Sequence, residues 1–366
     1  MLKTRLFTLL IIFSTLSLVN PLLAQQDTSQ IIEERVEDYL EEERGAVTTT
    51  AEEIVEMLMG RALRKLEDER RKQLLATKGT IGLHVAYDNN VNTDSSRTGD
   101  MYIEQYFAYS WTPTFFDELG AEVGMWYFGD WYSSNRDLTI NDIAFNASLK
   151  WYPTGGPVFE LQPGYEHAHL YYPYNEDSRY FEDKVFLKFK HRFWKRWSQD
   201  GKYEFSYKEY DTKQPRAGTS SGYVEGMALE KKRNSFDYNF GFPLGRNNLK
   251  LKNKFYLETS NDSYMDYYDL YSYKITGEFG RSLTQKLYMK LSGAFERKNY
   301  WHRMVASAQG NVAEFDDAYT YQTNFYYTLK KGWTLSYAFT YRKSDSNYAV
   351  YDYNSMNHKA GVYISF

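Results

Sequence analysis

From residue 79 onward, apolar side chains recur at every second position. The stretch TIGLHVAY puts Ile81, Leu83, Val85 and Tyr87 on one face. In MYIEQYFAYSW the apolar set is Met101, Ile103, Phe107, Tyr109 and Trp111, with Glu104, Tyr106, Ala108 and Ser110 opposite. DIAFNASLKW sets Ile143, Phe145, Ala147, Leu149 and Trp151 against Asn146, Ser148 and Lys150. A period of two is that of a strand with one apolar face and one polar face. The same alternation predicts fourteen strands, over roughly 79–89, 101–112, 118–129, 140–152, 157–171, 180–194, 199–212, 228–241, 247–259, 266–281, 285–298, 314–329, 333–344 and 356–366.

The connections differ in kind. Those after even-numbered strands are tight: TPT, PTGG, PLGRNN, SLTQ, KKG. Those after odd-numbered strands are longer and polar, among them NNVNTDSSRTGD, TKQPRAGTSSG, NYWHRMVASAQGN and SDSNYAVYDYN. Short turns on one side, long loops on the other and an even strand count are the signature of a membrane-spanning barrel. The fold class is therefore read as all-β: a transmembrane antiparallel β-barrel of about 14 strands. The segment KAGVYISF supplies the closing strand. Phe366, Ile364, Val362 and Ala360 are expected to face lipid, and pairing with the first strand removes the sheet edge. A terminal Phe on such a strand also fits the signal by which barrels are recognised for insertion.

Before residue 79 the pattern is different. Lys3 and Arg5 precede an apolar run from Leu6 to Val19 that Asn20-Pro21 breaks, which reads as a signal peptide over 1–24. Residues 25–78 carry 14 acidic and 9 basic residues. Ile54, Met57, Leu58, Ala62 and Leu66 recur at helical spacing behind a capping box made by Thr50 and Glu53. This predicts a short N-terminal α-helical segment, placed in the periplasm because an even strand count puts both ends of the barrel on that side. It is also the candidate surface for a periplasmic partner. The barrel proper takes 79–366.

Composition narrows the reading. With 36 Tyr, 23 Phe and 8 Trp, aromatic residues make up 18% of the chain, yet mean hydropathy is polar. That excludes a bundle of membrane helices and suits strands wet on one face. A soluble sandwich would need its apolar faces to meet in one core. The absence of Cys excludes disulfides, thiolate metal sites and a lipidated cysteine anchor. A net charge of -4 gives no reason to expect a nucleic-acid partner. The expected partners are outer-membrane lipid and the barrel-assembly machinery.

Candidate chemistry lies on the polar faces. Lys184, Lys188, Lys190 and Arg192 alternate along one strand, and Lys250, Lys252 and Lys254 along another. Turned inward, they form basic ladders that would favour anionic solutes or an acidic polymer. Glu104, Glu122, Glu160, Glu166, Glu204, Glu258, Glu278 and Glu296 also fall on inward faces. With 33 basic and 34 acidic residues in the barrel, crossed Lys–Glu ladders are the favoured reading. His167 and His169 share one strand face, but no third metal ligand accompanies them, and interfacial placement is preferred. Asn261-Asp262 and Asp316-Asp317 are read as solvated loop residues rather than calcium ligands. No His-x-Ser pair and no Gly-x-Ser-x-Gly elbow occurs. The sequence therefore gives no catalytic residue, no metal and no cofactor, and the chain is not read as an enzyme.

AYDNNVNTD at the first strand and YRKSDSNYAVYDYNSMNHKAGVYISF at the last hairpin resemble the C-terminal barrels of the surface lipoprotein assembly modifiers. That resemblance covers about 79–366 and implies a fourteen-stranded outer-membrane barrel with a translocation role. Those proteins carry tetratricopeptide repeats before the barrel; residues 25–78 show no such repeat. The expected function is a channel or export barrel for a solute, polymer or lipoprotein. The alternatives are a non-conducting structural or adhesive barrel and, third, a lipid-modifying enzyme.

Overall fold

The computed structural model describes residues 76–366 apart from 94–97, 117, 154–157, 194–196, 217–221, 246, 265–267 and 308–309. The expected signal peptide, and the expected helical segment up to residue 75, lie outside the described residues. The strands are β1 (Thr77–Asp88), β2 (Asp100–Trp111), β3 (Thr114–Phe116), β4 (Leu119–Tyr132), β5 (Ile140–Trp151), β6 (Phe159–Tyr171), β7 (Tyr180–Phe193) and β8 (Trp197–Tyr210). They continue as β9 (Glu230–Leu244), β10 (Asn247–Ser260), β11 (Leu270–Ser282), β12 (Leu287–Ser307), β13 (Gly310–Lys330), β14 (Trp333–Ser346) and β15 (Tyr353–Ser365). β3 is a stub of 3 residues against the start of β4, so fourteen long strands form the wall.

Neighbouring strands pair antiparallel in chain order, with β2 pairing directly with β4. β1 and β15 close the ring in a register running from Thr80↔Ser365 to Asp88↔Asn357. No open edge remains, which is what a sheet needs where lipid offers no hydrogen bonds. One rim carries the tight connections and both ends of the barrel chain; the other carries the long loops. In the turn between β13 and β14, Gly332 has φ +81. A side chain there would be strained, and its β-carbon would also press on the Ser365 carbonyl.

Burial is inside-out relative to a soluble protein. Leu83, Phe145 and Val185 are 51%, 55% and 58% exposed, whereas His84, Gln162 and Glu258 are 1%, 3% and 4% exposed. Water would penalise that outer surface; hydrocarbon would not. Trp111, Trp151 and Trp333 mark one rim of the apolar belt, and Tyr87, Trp131 and Tyr171 the other; all six are exposed. These are the aromatic girdles of a membrane barrel, at the two levels where amphipathic rings meet headgroups.

Two details depart from the alternation. The first strand begins at Thr77 rather than 79, reaching two residues into the segment read as helical. The stretch NYWHRMVASAQGN, expected as a loop, is mostly strand: β12 and β13 each run 21 residues and overshoot their neighbours at the loop rim. A register shift between Asn299 and Met304 interrupts the pairing, which is why the period of two is lost there. Arg303 ties the overshoot together. Its Nη1 donates to Glu314 Oε1 at 2.8 Å, and its guanidinium lies 3.9 Å from the Tyr300 ring centre.

Candidate functional site in the barrel lumen

Strand register turns the alternating ladders into rows that run around the lumen. One row is continuous from β6 to β12: Gln162, Lys188, Lys202, Asp237, Lys254, Lys274 and Glu296 are successive partners. The row beside it, nearer the turn rim, holds Glu160, Lys190, Asp200, Asn239, Lys252 and Thr276. Between them lies a cavity of about 420 Å³ into which Lys188, Lys190, Lys202, Lys252, Lys254 and Lys274 project, with Asp200 and Asp237 as its acidic lining.

The lysines are held by carboxylates set into the wall. Lys190 reaches Glu160 at 3.1 Å, Lys252 reaches Glu278 at 2.8 Å and Lys274 reaches Glu296 at 3.3 Å. Lys202 pairs with Glu204, and Lys254 stands 3.7 Å from Asp237. Lys188 makes no ion pair among the described residues; its ammonium lies 4.3 Å from the Phe186 ring centre. Of the ladder residues read from sequence, Lys188, Lys190, Lys252 and Lys254 therefore meet at this cavity. Lys184 sits further toward the loop rim, 2.7 Å from Glu166. Arg192 and Lys250 lie exposed toward the turn rim, outside the cavity. Lys202 and Lys274 were absent from the sequence ladders because neither alternates with another lysine: on β8 the next is Lys208, six residues on, and β11 has no second lysine.

All eight inward glutamates have a cationic partner. Besides those above, Glu104 meets Lys359 at 2.8 Å, Glu122 meets Lys150 at 2.7 Å, and Glu258 meets both Lys231 and Arg233. Crossed ladders are present, but balance over the whole barrel hides a segregation. On the lumen face of β2 to β6, Lys150 is alone among Glu104, Glu122, Asp130, Asp142, Glu160 and Glu166. On β7 to β12, cations outnumber acids two to one. Asp130 and Asp142 each keep a buried carboxylate oxygen without a hydrogen-bond donor. The lumen thus has an acidic wall facing a basic one, and a field across it.

A second cavity of about 320 Å³ opens toward the loop rim, lined by Lys298, Arg303 and Arg342 together with Glu296 and Asp316. At the rim itself the Asp100 carboxylate anchors the β4–β5 loop. The backbone N–H groups of Ser134 and Asn135 donate to it at 3.0 and 2.7 Å, and the Ser133 hydroxyl also donates. Burial pushes this carboxyl up, but those donors outweigh it and hold it well below the usual carboxylate range.

The other sequence candidates fall elsewhere. His167 and His169 face outward. His167 Nδ1 lies 2.7 Å from Asp183 Oδ1, and His169 stacks on Phe181 with ring centres 4.2 Å apart. Among the described residues no three metal-ligating side chains converge. Neither pair is the solvated loop pair expected: Asp262 is buried and takes the Arg216 Nε at 3.0 Å, while Asp316 and Asp317 stand within β13, where Asp317 takes Arg297. One grouping was not legible in sequence: Ser336, His84 and Glu104 meet on the lumen wall although 252 residues separate the serine from the histidine.

No family model matches the chain, and no curated protein matches it either. Among solved structures, it is similar to in-vitro folded OmpT, an outer membrane protein of Vibrio cholerae, at 7% identity and TM-score 0.46, over 79% of this chain and 98% of that one. The anion-selective porin from Comamonas acidovorans gives 10% identity and TM-score 0.41, over 80% and 99%. A Pseudomonas aeruginosa FadL homologue gives 8% and 0.42, over 79% and 90%. These superpositions are loose, and the chain's own strand order and register carry the fold.

Proposed function

We propose that this chain is a bacterial outer-membrane pore that favours anionic solutes, with its turn rim and residues 25–78 on the periplasmic side. The observation that carries this reading is the lysine-lined cavity on the β7–β11 wall. A permeant anion there would meet six ammonium groups, while the carboxylates that hold five of them sit at or behind the lining. Lysine suits transit: its charge attracts, and its flexible, strongly hydrated head releases. Export of an acidic polymer would use the same surface, and export of a lipoprotein is the role implied by the resemblance in 79–366. The apolar belt and aromatic girdles support the membrane placement.

Planar-bilayer recording of the full-length protein tests this. The expected result is stepwise conductance and, under a KCl gradient, a reversal potential displaced toward chloride. A folded, inserted barrel that never conducts would overturn the pore reading in favour of a structural or adhesive barrel. Cation preference would overturn the anion assignment.

A further inference from the structure

Four adjacent strands at the closing seam align one residue each across the lumen wall. Ser336 on β14 is in register with Gly361 on β15, Gly361 with His84 on β1, and His84 with Glu104 on β2. Gly361 leaves its place empty, and the His84 imidazole lies across it. A β-carbon at 361 would collide with the Leu83 carbonyl oxygen and the His84 ring. His84 thereby reaches past its neighbouring strand to the one beyond. Its Nε2 lies 3.0 Å from Ser336 Oγ, within a hydrogen bond, and its Nδ1 lies 3.2 Å from Glu104 Oε1, at ion-pair distance but off the line of a hydrogen bond. The other acceptor for the Ser336 hydroxyl, the Gly361 carbonyl, is 3.5 Å away. Lys359 Nζ donates to both oxygens of Glu104, at 3.0 and 2.8 Å, and fixes that carboxylate. The Tyr363 ring meets the imidazole edge-on with centres 4.5 Å apart. His84 is buried, whereas Ser336 is half-buried on the lumen face.

We propose that Ser336, His84 and Glu104 form a nucleophile–base–carboxylate relay that hydrolyses a short-chain carboxylic ester presented from the lumen. The distances and the order of groups are those by which such a relay is recognised, whatever the fold. With its proton on Nδ1, beside the Glu104 carboxylate, His84 Nε2 is free to accept the serine proton. The Ser336 oxygen bonds to the acyl carbon as its proton passes to Nε2. The bond from that carbon to the alkoxy oxygen then breaks, and the alcohol leaves with the proton from His84. Water repeats the two steps, releasing the carboxylic acid and restoring Ser336. A short acyl group is indicated by the neighbours of Ser336. Thr334 and Ala338 flank it on β14 and Tyr326 faces it on β13, a small and polar setting without an apolar cleft for a long chain.

The test uses the full-length protein folded in detergent, with a fluorophosphonate that a relay serine attacks with loss of fluoride, and with p-nitrophenyl acetate. The expected result is a phosphonyl adduct on the peptide carrying Ser336, together with ester turnover. Ser336→Ala should abolish both. His84→Gln should slow both by about 10³-fold or more. Glu104 acts through His84 as a positioning residue: Glu104→Gln should slow labelling by a similar order, and Glu104→Asp should recover part of it. Gly361→Ala should lose labelling with all three relay residues present. Ser292→Ala, at a lumen serine on β12, should label like the parent. Heat-modifiable gel mobility reports folding of each variant. Absence of an adduct on Ser336 in folded parent protein overturns the proposal, as does an adduct whose rate survives His84→Gln. The outcome is independent of conductance.

Discussion

Replacing Lys188 with glutamate is the sharpest probe of the lumen, because Lys188 has no anionic partner among the described residues and its loss orphans no carboxylate. A cavity of about 420 Å³, taken as a sphere, has a radius of about 4.6 Å, which puts a central ion about 6 Å from a lining ammonium. Unit charges at that distance interact by about 0.7 kcal/mol in water. Screening at about 0.1 M salt, where the Debye length is about 10 Å, leaves roughly 0.4 kcal/mol. Lys188→Glu changes the local charge by two units, so an anion loses about 0.8 kcal/mol and a cation gains as much. Both enter the permeability ratio, which should move by about 1.5 kcal/mol, or roughly tenfold toward potassium. Reversal potentials under a KCl gradient read this directly, and raising the salt should shrink the effect. A shift of less than about twofold at low salt would show that ions do not pass this cavity.

Other expectations follow from individual contacts. Deleting Phe366 should sharply lower the amount of folded barrel in outer-membrane fractions; normal levels of the truncated protein would refute a role for it in insertion. Asp100→Asn exchanges charge-assisted hydrogen bonds for neutral ones at a cost of about 1.5–3 kcal/mol, so amide exchange at Ser134 and Asn135 should quicken by about tenfold or more. Because the Asp100 carboxyl is held below its ordinary value, its contribution is complete above about pH 4 and is lost as pH falls through the folded value. Once corrected for the intrinsic pH dependence of amide exchange, protection of these loop amides in the parent should therefore be steady at neutral pH and fall only in acid. Gly361→Ala should also lower the temperature at which the barrel loses its compact gel mobility, since its β-carbon has no space between β15 and β1; an unchanged transition would mean the seam adapts.

Much of the fold was open to reading because lipid and water impose a strict alternation. A residue's face follows from its parity, so the outward Leu83, Val85 and Phe145 and the inward Glu104 and Lys188 could be assigned before any coordinates. What parity does not give is the neighbour. Which lysine stands beside which carboxylate depends on register, and a shift of two residues keeps every face while changing every partner. The row from Gln162 to Glu296 and the meeting of Ser336 with His84 belong to this hidden class. A search for short motifs could not find the latter, whose members come from opposite ends of the barrel chain. The extension of β12 was missed for another reason: the irregularity between Asn299 and Met304 breaks the alternation itself. The only sequence signal for the serine–histidine contact was a glycine, Gly361, where a strand facing packed neighbours would ordinarily carry a side chain.

If the proposed orientation holds, the overshooting β12–β13 hairpin faces the cell's surroundings. Each strand has 21 residues where β14 has 14; the surplus, at about 3.3 Å per residue before tilt, amounts to a ribbon on the order of 20 Å long. In the proposed orientation it stands clear of the lipid headgroups, with Trp301 and Met304 exposed on it. A ribbon stiffened by its own backbone ladder and by the Arg303–Glu314 pair is a shaped epitope rather than a floppy one. In that orientation it is a surface that an antibody or a phage tail fibre would meet, and a natural place to insert a tag for display on living cells.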